Sequence, residues 1–494
     1  MASSWDTLVT KLHELHDFSS ALKLLHWDQQ VMMPPEGAPG RARAIATIQG
    51  AAHRLLTAPE IGELIEQLRT DESLDEIQGA SVRVLARDHA KATKLPNELV
   101  RAIAETQGLA YAAWTRARPA ADFSMLAQHL ERLLDLKKQE ADALGWTEER
   151  YDALLDEYEP GAKTSQLAPM FEELVAGLKP ISDGALGRED SGSDWLFASY
   201  DEDKQQAFCG WLVEQIGFRT DGGRLDKSPH PFTIGIGSGD VRQTMRTEAS
   251  GVFGSIYAAM HETGHALYEQ GIPTEMRGLP VGRVPSLGMH ESQSRLWENQ
   301  VGRGHAFVDF LLPHLKERFP DELGMVTRED FYRGVNRVRR SFIRVSADEL
   351  TYNLHVALRF KLELALFRDQ LAVADLPAAW NDAMDEQLGI RPENDAEGVL
   401  QDMHWSIGAF GYFPTYTLGT LYAAAIYKRA HEELGDLDEE LRRGDTSRLL
   451  AWLRDKVHGQ GYLLQAGELV EKVVGEAVGP GPLLGYLDEK YSDL

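Results

Sequence analysis

Two histidines that flank a glutamate form the stretch of this chain with the clearest potential for chemistry. His261, Glu262 and His265 lie in the run HETGH. On a helix, side chains at positions i and i+4 share one face, so both imidazoles can reach one metal ion. Glu262 can then act on a water molecule held at the ion's open position. The alternative is a helix that carries two surface histidines beside an unrelated glutamate.

A third ligand is needed, because catalytic zinc is typically held by three side chains with one position left open. The metzincin continuation fails, since Tyr268 and Gly271 stand where that pattern requires glycine and histidine. Glu291 is the candidate that we favour, because a carboxylate opposite two histidines is the commoner peptidase arrangement. His290 is the rival ligand. The alternative interpretation of Glu291 is an exposed charge at the start of a helix, favoured by the helix dipole.

The elements that position these residues are predicted to be helices. Apolar residues at 255–260 lead into the motif, and Gly271 and Pro273 predict the end of that helix. Residues 296–301 predict a second helix, which would present Glu291 across a short loop. Helical periodicity also predicts a helix that Ser124 caps and Gly145 ends.

Three further segments carry a clear secondary-structure pattern. Thr446 is predicted to open a helix that Gly459 closes, and the apolar residues at 356–371 surround a helix, which predicts full burial. Residues 232–236 and 241–245 predict a β-hairpin just before the metal motif. An edge strand there could pair with an extended peptide, or the hairpin could be purely structural.

The composition narrows the types of protein to which this chain can belong. A chain of 494 residues with 43% hydrophobic content can bury a large core, and the interruptions at 34–40 and 187–193 are too short to separate modules. We therefore expect one domain over residues 1–494, with a cleft. The net charge of −26 argues against nucleic acid or anionic membrane partners. The single cysteine, Cys209, predicts a buried side chain and a reducing compartment.

The sequence also predicts a location. No basic, apolar leader precedes Trp5, and no apolar run is long enough to span a bilayer. We therefore expect a cytoplasmic protein without a membrane partner.

Further motifs follow one another along the chain, and together they closely resemble the carboxypeptidase Taq family of metallocarboxypeptidases. They are LHWD at 25–28, MP at 33–34, HPF at 230–232, DVRQT at 240–244, HETGH at 261–265, HES at 290–292, IRVSAD at 343–348, GVLQDMHW at 398–405 and FGYFPTY at 410–416.

The resemblance implies a mainly α-helical fold, a large globule with a deep groove and a small sheet at its wall, and usually a homodimer. It implies the release of single amino acids from free C-termini with broad specificity, using zinc, or cobalt in some members. By the same resemblance, His261, His265 and Glu291 match the metal ligands and Glu262 the catalytic glutamate. Arg344 falls in the motif linked to the substrate carboxylate.

Other residues receive roles that remain open at this point. His404, Tyr412 and Tyr416 match a region that lines the site in related helical zinc peptidases. We expect His404 or Tyr416 to stabilise the oxyanion, with Tyr412 as a further candidate. Arg344 alternatively pairs with Asp348, four residues on.

The hairpin region contributes three more candidates. His230 either contacts substrate or locks the hairpin through a buried hydrogen bond, and the second role is the one that we favour. Asp240 and Arg242 lie two apart on one strand face and are interpreted as supports of the groove.

Two other functions remain as alternatives to a carboxypeptidase. Helical zinc peptidases with this ligand set include endo-acting oligopeptidases, which differ by needing no basic anchor for a free C-terminus. A catalytically silent peptide-binding protein is the alternative outside enzymology. The presence of Glu262 and all three candidate ligands disfavours it.

Overall fold

Helices form most of the regular structure before the sheet in the computed structural model, which describes residues 3–186, 194–237, 239–492 and 494. The predicted interruption at 187–193 and Ser238 of the predicted hairpin turn lie outside the described residues. The helices that precede the sheet are α1 (Ser4–Val31), α2 (Ala38–Leu56), α3 (Pro59–Leu68), α4 (Glu76–Lys94), α5 (Asn97–Ala120), α6 (Ser124–Leu144), α7 (Arg150–Tyr158), α8 (Thr164–Ala185) and α9 (Glu202–Gln215).

A small sheet follows, in which the described residues form strands β1 (Gly223–Lys227), β2 (Thr233–Gly237) and β3 (Asp240–Met245) in the order β1-β3-β2. β2 and β3 are antiparallel, which confirms the predicted hairpin, and Thr233 lies opposite Gln243. β1 is parallel to β3 and was not predicted. Its sequence, GRLDK, lacks the alternation of apolar and polar residues that marks a half-buried strand.

The remaining helices complete a mainly α-helical fold, which confirms the predicted fold class. They are α10 (Phe253–Gly271), α11 (Leu287–Arg295), α12 (His305–Arg318), α13 (Pro320–Leu323), α14 (Arg328–Val335), α15 (Tyr352–Phe367), α16 (Leu376–Leu388), α17 (Pro414–Leu434), α18 (Leu437–Arg442), α19 (Ser447–Lys456), α20 (Ala466–Val474) and α21 (Gly481–Ser492). Among the described residues, no helix has both the length and the apolar composition needed to cross a bilayer.

The starts of α6 and α19 agree with the prediction, but the capping chemistry does not. Ser124 is the first residue of α6, and its hydroxyl donates to Asp122 Oδ1 over 2.6 Å. Ser447 likewise opens α19 and donates to Asp445 Oδ1 over 2.6 Å. Thr446 makes no side-chain capping bond. In both turns an aspartate two residues ahead of the serine accepts the bond, as Asp side chains commonly do before a helix.

α15 confirms the predicted buried helix, which ends at Phe367 because Asp369 adopts a φ of +57°. The pattern of apolar residues does not reveal that the helix also buries Arg359 and Glu363. Cys209 is fully buried, as predicted, and burial raises the pKa of its thiol to about 12.

α1 packs against the sheet and connects it to the N-terminal helices. Trp27 is 5% exposed, and the guanidinium of Arg242 lies 4.2 Å from the centre of its ring. Lys23 Nζ donates to the carbonyl of Gly235 on β2 over 2.8 Å. Apolar residues of α1, α3 and α4 form a small core separate from the main one. Trp27 therefore gives the LHWD motif a structural role at the sheet, since the guanidinium groups of Arg224 on β1 and Arg242 on β3 both pack on its ring.

Candidate metal centre

α10 carries both motif histidines, and its close packing on α11 explains why residue 264, which lies between them, is a glycine. His261 and His265 lie one turn apart, with ring centres separated by 5.0 Å. A Cβ atom added to Gly264 would lie 2.5 Å from the carbonyl oxygen of Gln293 and 2.6 Å from Ser294 Cα. Glycine at 264 therefore permits the approach that brings α11 against the two histidines.

Glu291 completes a set of three donors. Its Oε2 atom lies 3.5 Å from His261 Nε2 and 3.5 Å from His265 Nε2. The three donor atoms all lie within 4.8 Å of one another, and among the described residues this is the one such group of histidine, cysteine and carboxylate side chains. We refer to His261, His265 and Glu291 as the metal cluster. The alternative of an exposed Glu291 is wrong, because this side chain is buried at 7% exposure.

α11 differs from the prediction in one respect. Glu291 lies inside this helix, not in a loop before it, and the helix runs directly into a π-helix at Leu296–Gly302. The Glu291 side chain is therefore held by regular backbone on both sides. Gly419 of α17 packs against it, since an added Cβ there would lie 2.6 Å from Glu291 Cβ.

The outer nitrogens of the two histidines are occupied by groups that only accept hydrogen bonds. His261 Nδ1 donates to Glu298 Oε2 over 2.9 Å, and His265 Nδ1 donates to the carbonyl of His290 over 3.0 Å. In the neutral form of each ring, Nδ1 therefore carries the hydrogen and the Nε2 lone pair is free. Two imidazole nitrogens and a carboxylate oxygen that converge in this way fit a divalent metal such as zinc.

Arg295 forms an ion pair with Glu291, the third member of the metal cluster. Its Nε donates to Glu291 Oε1 over 2.7 Å, and the hydroxyl of Ser294 donates to Glu291 Oε2 over 3.0 Å. Burial alone would raise the pKa of Glu291, but Arg295 and the two histidines hold that pKa well below its ordinary value. The carboxylate is therefore charged and ready to bind a cation.

Glu262 faces a different environment from that of Glu291. The Thr233 hydroxyl on β2 lies 2.7 Å from Glu262 Oε2 and 2.8 Å from the main-chain carbonyl of the same residue. Burial raises the pKa of the Glu262 carboxyl, against the opposing pull of His261 and of the Thr233 hydroxyl. Thr233 thus connects the edge strand of the sheet to the candidate general base.

Three aromatic side chains predicted for the site lie together. His404 Nε2 is 3.3 Å from the Tyr416 hydroxyl, and the ring centres of Tyr412 and Tyr416 are 5.3 Å apart. We refer to His404, Tyr412 and Tyr416 as the aromatic cluster. The charge of Glu291 contributes to raising the pKa values of both tyrosines, after the larger effect of burial. The aromatic cluster therefore lies within electrostatic reach of the metal cluster.

The ionisation of the aromatic cluster suits hydrogen-bond donation. Burial lowers the pKa of His404 to about 4, although the nearby carboxylate of Asp402 opposes that shift. Burial also holds the pKa of the Tyr416 hydroxyl well above its ordinary value. At neutral pH, His404 is a neutral ring and Tyr416 keeps its proton.

Arg344 is 4% exposed and is bound by Asp402, not by Asp348. Its Nη2 donates to Asp402 Oδ1 over 2.8 Å, and Nη1 donates to the Tyr352 hydroxyl over 2.9 Å. The predicted alternative pair is wrong, because Arg344 opens a short 3₁₀ turn at Arg344–Ser346 and the Asp348 carboxylate accepts from Thr351 N over 2.9 Å. A second buried arginine, Arg359, also donates to Asp402.

The predictions for the two other histidines have different outcomes. The ring of His230 is exposed, and it is the carbonyl of this residue that accepts a bond, from the Ser228 hydroxyl over 2.6 Å. The interpretation of His230 as a buried lock is therefore wrong. His290 lies outside the metal cluster: its ring stacks on His265 at 4.1 Å, and its Nε2 lies 3.5 Å from Glu269 Oε1.

Asp240 and Arg242 are bonded to each other on β3. Arg242 Nε and Nη2 donate to the two carboxylate oxygens of Asp240 over 2.9 and 2.8 Å. The pair also reaches α1, since Arg242 stacks on Trp27. A structural support is the role that these contacts indicate.

Sequence reasoning missed several side chains that hold the site. One signal was present for two of them: Glu291, Arg295 and Glu298 follow the spacing i, i+4, i+7 of one helical face. Asp402 lies inside the motif at 398–405 but was given no role, and the others come from segments with no comparable local signal. The missed residues are Thr233, Arg295, Glu298, Tyr352, Arg359 and Asp402.

Comparison with known proteins places this arrangement in a family. The model of the carboxypeptidase Taq (M32) metallopeptidases matches residues 7–491. The chain is 41% identical to thermostable carboxypeptidase 1 of Thermus thermophilus, over 100% of this chain and 99% of that protein. It is 34% identical to carboxypeptidase 1 of Bacillus subtilis, over 98% of this chain and 97% of that protein.

Solved structures of members of this family have the same fold as this chain. The M32 carboxypeptidase of Deinococcus radiodurans R1 matches with a TM-score of 0.98 and 39% identity, over 100% of this chain and 99% of that chain. Metallocarboxypeptidase 1 of Trypanosoma cruzi matches with a TM-score of 0.93 and 34% identity, over 99% of each chain. The chain belongs to the carboxypeptidase Taq (M32) family of metallopeptidases.

Proposed function

We propose that this protein is a zinc-dependent carboxypeptidase that releases single amino acids, with broad specificity, from the free C-termini of peptides. Family membership supports carboxypeptidase activity that uses a divalent metal. The observation that carries the proposal is the convergence of His261, His265 and Glu291, with the buried carboxyl of Glu262 on the same helix.

His261, His265 and Glu291 would hold the metal. When bound, the cation supplies Lewis acidity, which makes water more acidic and polarises the scissile carbonyl. Two histidines and one glutamate are a known zinc set, which favours zinc over cobalt as the native metal. Metal analysis of protein purified without added metal tests this choice, and stoichiometric cobalt would contradict it.

Glu262 is proposed as the general base. It accepts a proton as the water oxygen bonds to the carbonyl carbon, and it delivers that proton to the amine nitrogen as the C–N bond breaks. The Thr233 hydroxyl holds the carboxyl at the required position. A group restrained in this way loses little freedom on reaching the transition state.

The aromatic cluster is proposed to stabilise the negative charge that develops on the carbonyl oxygen. Neutral His404 and protonated Tyr416 are both suitable donors for such an oxyanion, and Tyr412 is the third candidate. Substitution of Tyr412 and of Tyr416 by phenylalanine, each alone, tests which hydroxyl acts. The larger fall in kcat identifies the donor.

Arg344 is proposed to bind the C-terminal carboxylate of the substrate. Two guanidinium groups, those of Arg344 and Arg359, share the single carboxylate of Asp402, so this buried group carries a net charge of +1. The Arg344 guanidinium also lies 4.9 Å from the centre of the Tyr416 ring, next to the aromatic cluster. A net positive charge at this place favours an anionic chain end.

The edge strand β2 and His230 remain candidates for contact with the peptide. The carbonyl of Gly235 is already bonded to Lys23, so β2 has fewer main-chain groups to offer than an open edge strand. We also propose that the protein forms a homodimer, that residues 1–494 form a single domain and that the location is cytoplasmic. Light scattering of the purified protein tests the dimer.

Mass spectrometry of a mixed peptide pool tests the reaction class. Metal-loaded protein is incubated with peptides that end in a free acid and with the same sequences as C-terminal amides. We expect a ladder trimmed one residue at a time from the free-acid C-termini, with the amides left intact. Internal fragments from both sets would instead indicate an endo-acting oligopeptidase, and an unchanged pool would indicate a silent peptide-binding protein.

A further inference from the structure

Arg295 places a largely buried positive charge beside a candidate metal ligand. Its side chain is 14% exposed, and its Nε lies 2.7 Å from Glu291 Oε1. Arg295 keeps Glu291 in its charged form, but a guanidinium this close also repels a metal ion at the metal cluster. A contribution to metal affinity alone therefore does not explain why this residue is an arginine.

The two oxygens of Glu291 have different partners. Oε2 faces the ring nitrogens of His261 and His265, at 3.5 Å from each, and also accepts from the Ser294 hydroxyl. Oε1 instead accepts from Arg295 Nε over 2.7 Å. One oxygen is thus available to an ion, and the other is engaged by a charged donor.

Arg295 is itself held in place on two sides. Its Nη1 lies 3.5 Å from Glu298 Oε2, and its guanidinium stacks on the Tyr352 ring at 4.3 Å. Glu298 accepts in turn from His261 Nδ1. Two ligands of the cluster are therefore joined through Arg295 and Glu298, and the guanidinium cannot leave Oε1 without breaking several contacts.

The π-helix at Leu296–Gly302 contributes to this arrangement. Glu298 lies within it, one turn beyond Arg295, and reaches both Arg295 and His261. Short π-helical segments occur often at functional sites. Here the segment directs a carboxylate at the outer edge of the metal cluster.

We propose that Arg295 is a positioning residue that makes Glu291 bind the metal through Oε2 alone. A carboxylate with both oxygens free can occupy two coordination positions, whereas one with Oε1 engaged by a guanidinium occupies one. The position kept open in this way is the one that catalytic sites need for water and substrate. This inference rests on the proposed metal-dependent function and deepens it.

The test uses the full-length protein loaded with cobalt(II), whose visible absorption reports the number and arrangement of its ligands. Arg295→Met removes the charge and the donors at similar length, and Arg295→Lys retains the charge with a different donor geometry. Arg333→Met is the matched control, because Arg333 is an exposed arginine on α14 that pairs with Glu329. Circular dichroism establishes that each variant is folded.

We expect Arg295→Met to retain stoichiometric cobalt and to show a weaker visible band, as a second oxygen of Glu291 joins the metal. We expect kcat to fall about 10–100-fold, the usual cost of losing a residue that orients a ligand, while KM changes little. Arg295→Lys should lie between Arg295→Met and wild type in both measurements. Arg333→Met should match wild type.

Two results would overturn the inference. The first is a wild-type cobalt spectrum in folded Arg295→Met, which would mean that Glu291 binds in the same way without the guanidinium. The second is loss of cobalt from both Arg295 variants, which would make Arg295 a determinant of affinity. The spectrum does not depend on turnover. A wild-type cobalt protein that fails to cleave peptides would therefore contradict the proposed function and leave the comparison of spectra valid.

Discussion

The metal cluster and the aromatic cluster differ in where their supports come from. The hydrogen bonds that hold the metal cluster come largely from the helical segments that carry its ligands: Arg295 is four positions from Glu291 on α11, and Glu298 lies in the π-helix that continues α11. The aromatic cluster is supported from a helix that carries none of its members. Glu363 of α15 accepts from Trp405 Nε1 and from the main-chain nitrogen of Gly411, next to His404 and Tyr412. One cluster is supported largely by its own helices, and the other by a separate helix.

The two clusters also differ in the chemistry of their buried carboxylates. Glu291 has a guanidinium partner, and its pKa lies well below the ordinary value despite burial. Burial raises the pKa of Glu363 to about 7, because its nearest donors, the Tyr151 hydroxyl among them, are neutral. Burial therefore accompanies a charged ligand in one place and a protonatable support in the other. The deciding factor is the charge of the nearest partner.

The largest expected effects concern the division of roles between Glu262 and Glu291. Glu262→Gln should keep the metal but lose the proton acceptor, which should lower kcat by about 10²–10⁴-fold. Glu291→Ala should release the metal, because a ligand is lost. Metal content by mass spectrometry and kcat on a free-acid peptide separate the two variants. Wild-type turnover in Glu262→Gln would contradict the mechanism, and full metal affinity in Glu291→Ala would move the third ligand elsewhere.

A smaller effect is expected for Arg344. Arg344→Ala should cost about 2–5 kcal/mol of substrate or transition-state binding if this side chain holds the C-terminal carboxylate. It should also narrow the preference for a free-acid peptide over its amide. The measurement is kcat/KM for both peptides in wild type and variant. An unchanged ratio would leave Arg344 as a structural partner of Asp402.

The support of the aromatic cluster predicts a pH effect on stability. The pKa of Glu363 is about 7 in the folded chain against 4.5 ordinarily, so folding favours its protonated form. The stabilisation is complete below pH 4.5 and is lost as the pH rises towards 7, by about 3 kcal/mol. The variant Glu363→Gln should not lose stability in this way as the pH rises.

The experiment for Glu363 compares free energies of unfolding in urea at about pH 5 and about pH 8. Relative to wild type, Glu363→Gln should be more stable at the higher pH than at the lower one. A difference that does not change with pH would show that Glu363 keeps its ordinary pKa in the folded chain.

The smallest expected effect concerns the packing that builds the metal cluster. Gly264→Ala should destabilise the fold by about 1–3 kcal/mol, because the added methyl meets the backbone of α11 at 2.5 Å. Gly108→Ala in α5 is the control: its Cβ would meet nothing within 4 Å, and alanine favours a helix by up to about 1 kcal/mol. Thermal unfolding compares the two. A Gly264→Ala variant as stable as Gly108→Ala would contradict the close approach.

Local patterns in the sequence were sufficient for the helix of the metal motif, the hairpin before it and the burial of α15. Each depends on the periodicity of apolar residues and on turn-forming residues within a few positions. The candidate ligands could be proposed for the same reason, since His261 and His265 are joined by one helical turn. Glu291 was proposed because catalytic zinc needs a third ligand and a carboxylate is the commoner choice, and the motifs along the chain supplied most of the remaining candidates.

Only the tertiary structure decided what each candidate contacts. The sequence offered Asp348 as an alternative partner for Arg344, but a short 3₁₀ turn directs Arg344 to Asp402. Periodicity did not predict β1, whose pairing is set by its parallel partner β3. The periodicity of the sequence also did not show that His230 is exposed. Contacts between distant segments depend on the packing of the whole core, in which the charge and shape of each partner determine the outcome, and no local pattern records them.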